Sequence, residues 1–275
     1  MKTALLAASA CMFAFAAQAA DLPAKYAEKG KVVAANTPNY PPMEYRDPAT
    51  NELMGLDIDL GKAIAAQLGT EIEWSEIGFE QMVSSLATGR IDIVLSGMSD
   101  LPTRRESMDF VDYMRSGAQF YTAAARAGEF KELTDFCGKK IGMSRRTSFP
   151  DEAAAWSAKN CEANGKPALQ IVGTEGSADA RTQLKQGRLD GAVQGSETLP
   201  YLIQLEPDTY AVVGEPFTEV YQGIAFAKTA PDLRDAFAGA LKSLMDSGEY
   251  KTIFDKYGLA GTMLDHVMIN GEAVK

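Results

Sequence analysis

The chain has 275 residues, 46% of them hydrophobic and 23% charged, with 24 glycines and 12 prolines. That is a globular composition, too apolar for intrinsic disorder and too varied for a fibre, and long enough for one or two domains with real cores. A net charge of −10 argues against electrostatic binding to nucleic acid or to an anionic membrane, and a single histidine, His266, with three cysteines leaves little material for a metal site. We expect neither metal nor cofactor.

The first residues form a separate object. Lys2 is followed by an apolar run from Ala4 to Ala17, then by small residues at Ala17-Gln18-Ala19. This is the layout of a cleaved signal peptide over residues 1–19, with the mature chain starting at Ala20 or Asp21. Ala8-Ser9-Ala10-Cys11 loosely matches a lipidation box, but the usual leucine is missing and apolar residues continue past Cys11. No other stretch approaches the length of a membrane span.

In the mature chain, short β runs alternate with amphipathic helices. Residues 31–35 read as a strand. Residues 57–68 read as a helix with Leu60, Ile64 and Leu68 on one stripe. A strand over 71–74 and a helix over 80–88, stopped by Gly89, lead to the near-continuous apolar strand 91–95, as expected of a buried parallel strand. The pattern restarts with a strand at 140–143, and Pro150, Asp151 and Glu152 open a helix, the acids at its positive end. A strand at 169–172, a helix at 178–185 and a strand at 189–193 follow. Leu233, Phe237, Leu241 and Leu244 mark a closing helix, with another over 250–257. Strands alternating with helices imply an α/β fold with parallel-rich sheets.

An internal repeat sharpens this. Ser84-Ser85-Leu86-Ala87-Thr88-Gly89-Arg90-Ile91-Asp92 and Thr182-Gln183-Leu184-Lys185-Gln186-Gly187-Arg188-Leu189-Asp190 each end a helix and begin a strand, and Gly97 and Gly195 follow at the same offset. Any helix-to-strand corner favours glycine, so the repeat could be local chemistry; the alternative is two similar lobes. Ligands of open parallel sheets sit beyond the carboxyl ends of the strands, which would place one between residues 96–104 and 194–197. Cys137 and Cys161 are the two cysteines left after export, and in an oxidising compartment we expect them to pair.

The run Asn39-Tyr40-Pro41-Pro42-Met43-Glu44-Tyr45, then Gly55-Leu56-Asp57-Ile58-Asp59-Leu60, Phe79, Gly89-Arg90-Ile91-Asp92, Ser96-Gly97-Met98-Ser99, Pro102, Arg104 and Asp109-Phe110 resembles the periplasmic solute-binding proteins of polar amino-acid ABC importers (solute-binding protein family 3). Gly138-Lys139-Lys140-Ile141-Gly142 and Gly187-Arg188-Leu189-Asp190 continue the resemblance, which covers nearly all of residues 27–260. It implies a type II periplasmic-binding-protein fold, with helices on both faces of each sheet and two hinge strands near 116–120 and 220–225. Lobe 1 would comprise residues 27–116 and 221–262, lobe 2 residues 117–220, and residues 263–275 a C-terminal tail. It also implies periplasmic localisation, a membrane permease as partner, a monomeric state, and hinge closure on a small solute.

Carried over one residue at a time, the resemblance puts the ligand-facing aromatic at Tyr40 and an apolar contact at Phe79. It puts hydroxyl and backbone contacts at Ser96, Gly97 and Ser99, a carboxylate-binding guanidinium at Arg104, and second-lobe hydroxyls at Thr147 and Ser148. A guanidinium matches a carboxylate with parallel N–H donors; Arg105 beside it is expected to be solvated. Three positions depart from the family pattern. Leu101, preceded by Asp100, stands where a threonine is usual, and Arg146 where a glycine is usual. Gly195 stands where an aspartate normally pairs with the ligand's α-ammonium. Glu197 or Asp100 replaces that carboxylate, or each is a surface charge. The same fold hosts cyclohexadienyl dehydratases, which use a cleft carboxylate as general acid, but no nucleophile–histidine pairing is visible here. A third reading is a sensor or chaperone-like module, for which no extra domain or linker is visible. The expectation is a binding protein for a small carboxylate-bearing solute, an amino acid or a solute without the amine.

Overall fold

The computed structural model describes residues 21–274, so the expected signal peptide, its cut after Ala19 and Cys11 lie outside the described residues. Two large sheets divide the chain, beside a small three-stranded one made of Asn39–Tyr40, Glu44–Arg46 and Leu53–Met54. In the first, Lys31–Asn36 lies between Glu71–Glu76 and Ile93–Val94, all parallel, and the long strands Val220–Ala227 and Met108–Ser116 continue the sheet antiparallel. In the second, Lys140–Ser144 lies between Gln170–Thr174 and Gly191–Gly195 in parallel, and Ala118–Ala123 and Tyr210–Val213 complete it antiparallel.

Period-two alternation explains why both sheets read as apolar runs. Val32 and Ala34 face one core with Leu56, Leu60, Phe237 and Leu241, while Val33 and Ala35 face another with Met82, Leu86 and Phe110. In the second sheet Ile141, Met143, Phe120 and Val193 meet Phe136 and Ala153, while Tyr121 and Ala192 meet Ala180, Leu184 and Leu202. Helices therefore cover both faces of each sheet, and the strands carry apolar residues at odd and even positions alike.

The sequence repeat corresponds to one corner built twice. Helices Phe79–Ala87 and Ser177–Lys185 end at glycines in the left-handed conformation, Gly89 (φ 69°) and Gly187 (φ 68°). Each repeat aspartate then ties the emerging strand to its neighbour. Asp92 accepts from the Val33 N–H at 2.9 Å and donates its own N–H to the Val33 carbonyl at 2.9 Å. Asp190 does the same with Lys140, at 2.9 and 2.8 Å. The Gly-Arg-apolar-Asp signature is thus a register clamp, one per lobe.

The chain crosses between the lobes at Gly117, where Met108–Ser116 passes directly into Ala118–Ala123, and again between Val213 and Val220. A Cβ on Gly117 would lie 2.1 Å from the Thr218 carbonyl oxygen, so the two crossings run in contact and only glycine fits there. The segment read as a tail is built into the first lobe. Met268–Ile269 pairs with Met108–Ser116, Glu272–Ala273 pairs with Met268–Ile269, and the Asn270 side chain accepts from the Phe110 N–H at 2.8 Å. Among the described residues no helix is long and apolar enough to cross a membrane.

Cys137 and Cys161 are disulfide-bonded. The bond ties the end of the short 3-10 turn Leu133–Phe136 to the C-cap of the helix Phe149–Asn160. It closes a loop of sequence separation 24, for which loop entropy predicts a stabilisation of about 3 kcal/mol. Replacing both cysteines by serine should lower the thermal midpoint by several degrees; an unchanged midpoint in differential scanning calorimetry would count against a structural role for the bond.

Candidate functional site

Between the lobes lies a cavity of about 260 Å³. Tyr40, Phe79, Ser96, Gly97, Ser99 and Arg104 line it from the first lobe, and Thr147 and Ser148 from the second. The strand ends and helix starts put them there. Ser96 and Gly97 follow the strand Ile93–Val94, Phe79 opens one helix, and Ser148 is the N-cap residue of another, with no side-chain cap bond of its own.

The floor of the cavity rests on buried carboxylates. Ser96 Oγ donates to Glu44 Oε1 at 2.6 Å and accepts from the Thr37 N–H at 3.1 Å. The Gly97 N–H donates to Asp57 Oδ2 at 2.8 Å, and the Tyr113 hydroxyl to Asp57 Oδ1 at 2.8 Å. The donors of Ser96 and Gly97 are therefore engaged within the protein and shape the wall. Thr147 likewise donates its hydroxyl to the Ser144 carbonyl at 2.8 Å.

Arg104 is held as an oriented donor. Its Nη1 donates to the Ser99 carbonyl at 2.8 Å, and its guanidinium carbon lies 5.7 Å from the centre of the Phe79 ring. Burial lowers its pKa from the ordinary arginine value, opposed by the negative field of Glu152 and Asp100. Such a group gains from a carboxylate brought to it.

Arg105 departs from expectation. It is not a free solvated cation: Nε and Nη2 grip Asp100 at 2.5 and 2.8 Å. The Asp100 side chain is 0% exposed and does not line the cavity. Asp100 is therefore neither a cleft carboxylate nor a surface charge; it anchors Arg105 beside Asp112.

Glu197 also has a different position from the one expected. It is 2% exposed and fully engaged. Its Oε1 accepts from the Tyr40 hydroxyl at 2.9 Å and from Gln222 Nε2 at 2.8 Å, and its Oε2 accepts from the Ser116 hydroxyl. The Tyr40 hydroxyl in turn accepts from the Gly195 N–H at 3.2 Å. A Cβ on Gly195 would meet Glu197 Oε1 and the Tyr40 hydroxyl, each at 2.2 Å. A side chain at position 195 would have to displace Glu197 and Tyr40, because the Glu197 carboxylate occupies that space and bridges the lobes instead of facing the cavity. Neither is it a surface charge. At the mouth, Arg146 pairs with Glu80 of the opposite lobe; both are partly exposed, so the pair adds little stability.

Several lining residues escaped the sequence reading, among them the polar Glu44, Glu80, Glu152, Glu175 and Gln222. Glu152 was legible only as an acid in the first turn of a helix, Glu44 only as a member of the run 39–45, and Gln222 only as part of a hinge strand.

The buried carboxylates set a pH dependence. Burial is the main cause that pushes Asp57 up to about 7, Asp112 up to about 8, and Glu44 and Glu197 upward as well. Carboxyls that stay protonated in the fold but ionise near 4 when unfolded contribute stability below that value, and lose it as pH rises through their folded values. Asp109 and Asp190, held low chiefly by hydrogen bonds and cations against the cost of burial, act oppositely, but only below about pH 4. The thermal midpoint should therefore fall between pH 5 and pH 8.5; a flat or rising profile in calorimetry would contradict this assignment.

The geometry defines a two-lobed solute-binding protein of type II arrangement. A family described as bacterial extracellular solute-binding proteins, family 3, matches residues 32–260, and the chain belongs to it. An arginine-binding protein of Corynebacterium glutamicum is 30% identical over 249 residues, covering 90% of this chain and 81% of that protein. The crystal structure of an ancestral amino-acid-binding protein, a precursor of cyclohexadienyl dehydratase, aligns with TM-score 0.76 and 27% identity over 85% of this chain and 97% of that one. A mutant of the arginine-binding protein of T. maritima aligns with TM-score 0.75 and 25% identity over 85% and 97%.

Proposed function

We propose that this protein is the periplasmic substrate-binding component of an ABC importer, acting as a monomer and carrying a small carboxylate-bearing solute, an amino acid or derivative, to an inner-membrane permease. The observation that carries the reading is Arg104, a half-buried guanidinium fixed by the Ser99 carbonyl and the Phe79 ring at the wall of an interlobe cavity. A solute whose carboxylate meets Arg104 while it touches Thr147 and Ser148 contacts both lobes, so it favours the closed state. The permease then recognises closure. The arginine- and amino-acid-binding functions of the relatives support the same class of ligand.

A thermal-shift screen against amino acids and other small carboxylates tests this, because a ligand bound only by the folded state raises the midpoint. Stabilisation by at least one amino acid is expected; the reading fails if no carboxylate shifts the midpoint. The likeness to a dehydratase precursor favours catalysis as the second reading. Turnover of cyclohexadienyl substrates by the purified protein would establish it, whereas stoichiometric binding without turnover is the outcome for a transport component.

A further inference from the structure

Six charged side chains line the cavity: Glu44, Glu80, Arg104, Arg146, Glu152 and Glu175. Most are already compensated. Glu80 pairs with Arg146 and Glu175 with Arg145, while Glu44 accepts the Ser96 hydroxyl and is buried against Asp57, which favours its neutral form. Among the described residues, three of the six make no ion pair: Arg104, Glu44 and Glu152. Glu44 and Glu152 each also have one shielded oxygen without a hydrogen bond, but Glu44 stands in the same lobe as Arg104, which leaves Glu152 as the acid of the opposite lobe.

Glu152 is held in place from behind. The Ala118 N–H donates to Thr218 Oγ1 at 2.8 Å, and that hydroxyl donates to Glu152 Oε2 at 3.0 Å. The relay starts at the crossing between the lobes, where Gly117 lets Thr218 approach. The other oxygen, Oε1, is shielded from solvent and has no hydrogen-bond partner among the described residues. A buried acceptor without a donor is costly and calls for one. A helix-start acid that merely answered the helix dipole would point into solvent, as exposed Asp151 does.

We propose that Glu152 is the residue that receives the ligand's ammonium, a specificity-determining carboxylate doing from the helix start what position 195 cannot do. The proposal rests on the amino-acid-binding reading above. Arg104 belongs to the first lobe and Glu152 to the second, so a zwitterion held carboxylate to Arg104 and ammonium to Glu152 spans the cleft. Recognition of its two charges is then coupled to closure. The cavity thus offers a guanidinium from one lobe and a carboxylate from the other, neither held in an ion pair, which suits the α-amino acid head group and disfavours the corresponding deaminated acid.

Titration calorimetry with the common L-amino acids, and with the α-deaminated counterpart of each one that binds, tests this on the mature protein and on Glu152→Gln and Arg104→Ala. The wild type should prefer the amino acid by roughly thirty-fold or more, the range typical for truncating one partner of a buried charge pair. Glu152→Gln should weaken amino-acid binding by the same factor, leave the deaminated acid unchanged and so erase the preference. Arg104→Ala should lose both ligands. If Glu152→Gln keeps the wild-type affinity and preference, the Glu152 assignment is overturned while the amino-acid reading stands. The same holds if the wild type binds both members of a pair equally. If no L-amino acid binds the wild type, both fall together. An unchanged thermal midpoint of unliganded Glu152→Gln shows that any loss is a loss of contact and not of fold.

Discussion

Replacing Arg104 with alanine should nearly abolish binding of any carboxylate-bearing ligand. The guanidinium is half-buried in the cavity wall and oriented by the Ser99 carbonyl. Removing it leaves the ligand's carboxylate unpaired in a water-poor cleft. Loss of one partner of such a pair costs about 2–5 kcal/mol, or roughly thirty-fold to several-thousand-fold in affinity. Arg105→Ala is the informative neighbour. Its guanidinium grips Asp100 outside the cavity, so the substitution should leave affinity nearly unchanged and lower the thermal midpoint, because the buried Asp100 then lacks its counter-charge. Calorimetric titration together with thermal unfolding separates the two. Unchanged affinity in Arg104→Ala would overturn the site assignment, and with it the residue-by-residue transfer from the family.

Glu197→Ala should open the cleft. In this structure the Glu197 carboxylate accepts three donors from outside its own loop: the Tyr40 hydroxyl of the first lobe, Ser116 at one crossing and Gln222 on the returning strand. Alanine would leave all three donors without their acceptor in a buried site. Leaving even one buried donor unsatisfied costs about 1–3 kcal/mol. The closed state should therefore be depopulated, and apparent affinity falls in proportion to the fraction that remains competent. We expect the unliganded variant to have a larger radius of gyration than the unliganded wild type in small-angle scattering, and an affinity at least roughly thirty-fold weaker. Saturating ligand should bring the two radii together. Equal radii without ligand would show that the carboxylate bridges the lobes without holding them.

The sequence by itself determined the architecture. Its apolar residues recur at the helical period in residues 57–68 and form a near-continuous run in 91–95, and only strands covered on both faces can bury such runs. The Gly-Arg-apolar-Asp repeat announced two like lobes because a left-handed glycine and a strand-clamping aspartate are local requirements, satisfied within one corner. The site positions were legible through the family resemblance, and in the structure Tyr40, Phe79, Ser96, Gly97, Ser99 and Arg104 line one cavity. The pairing of Cys137 with Cys161 followed from counting.

What only the tertiary structure decided concerns charge. Asp100, Glu152 and Glu197 are indistinguishable in the sequence, three acids near loops or helix starts. The fold gives one an arginine, one a ring of three donors, and leaves the third with a shielded oxygen that has no donor. Likewise Gly195 read as a missing carboxylate, whereas a residue 157 positions away, Tyr40, meets Glu197 in the space that carboxylate would occupy. A buried carboxylate's role depends on which donors surround it within about 3 Å. Those donors come from segments remote in sequence, so no local pattern encodes them.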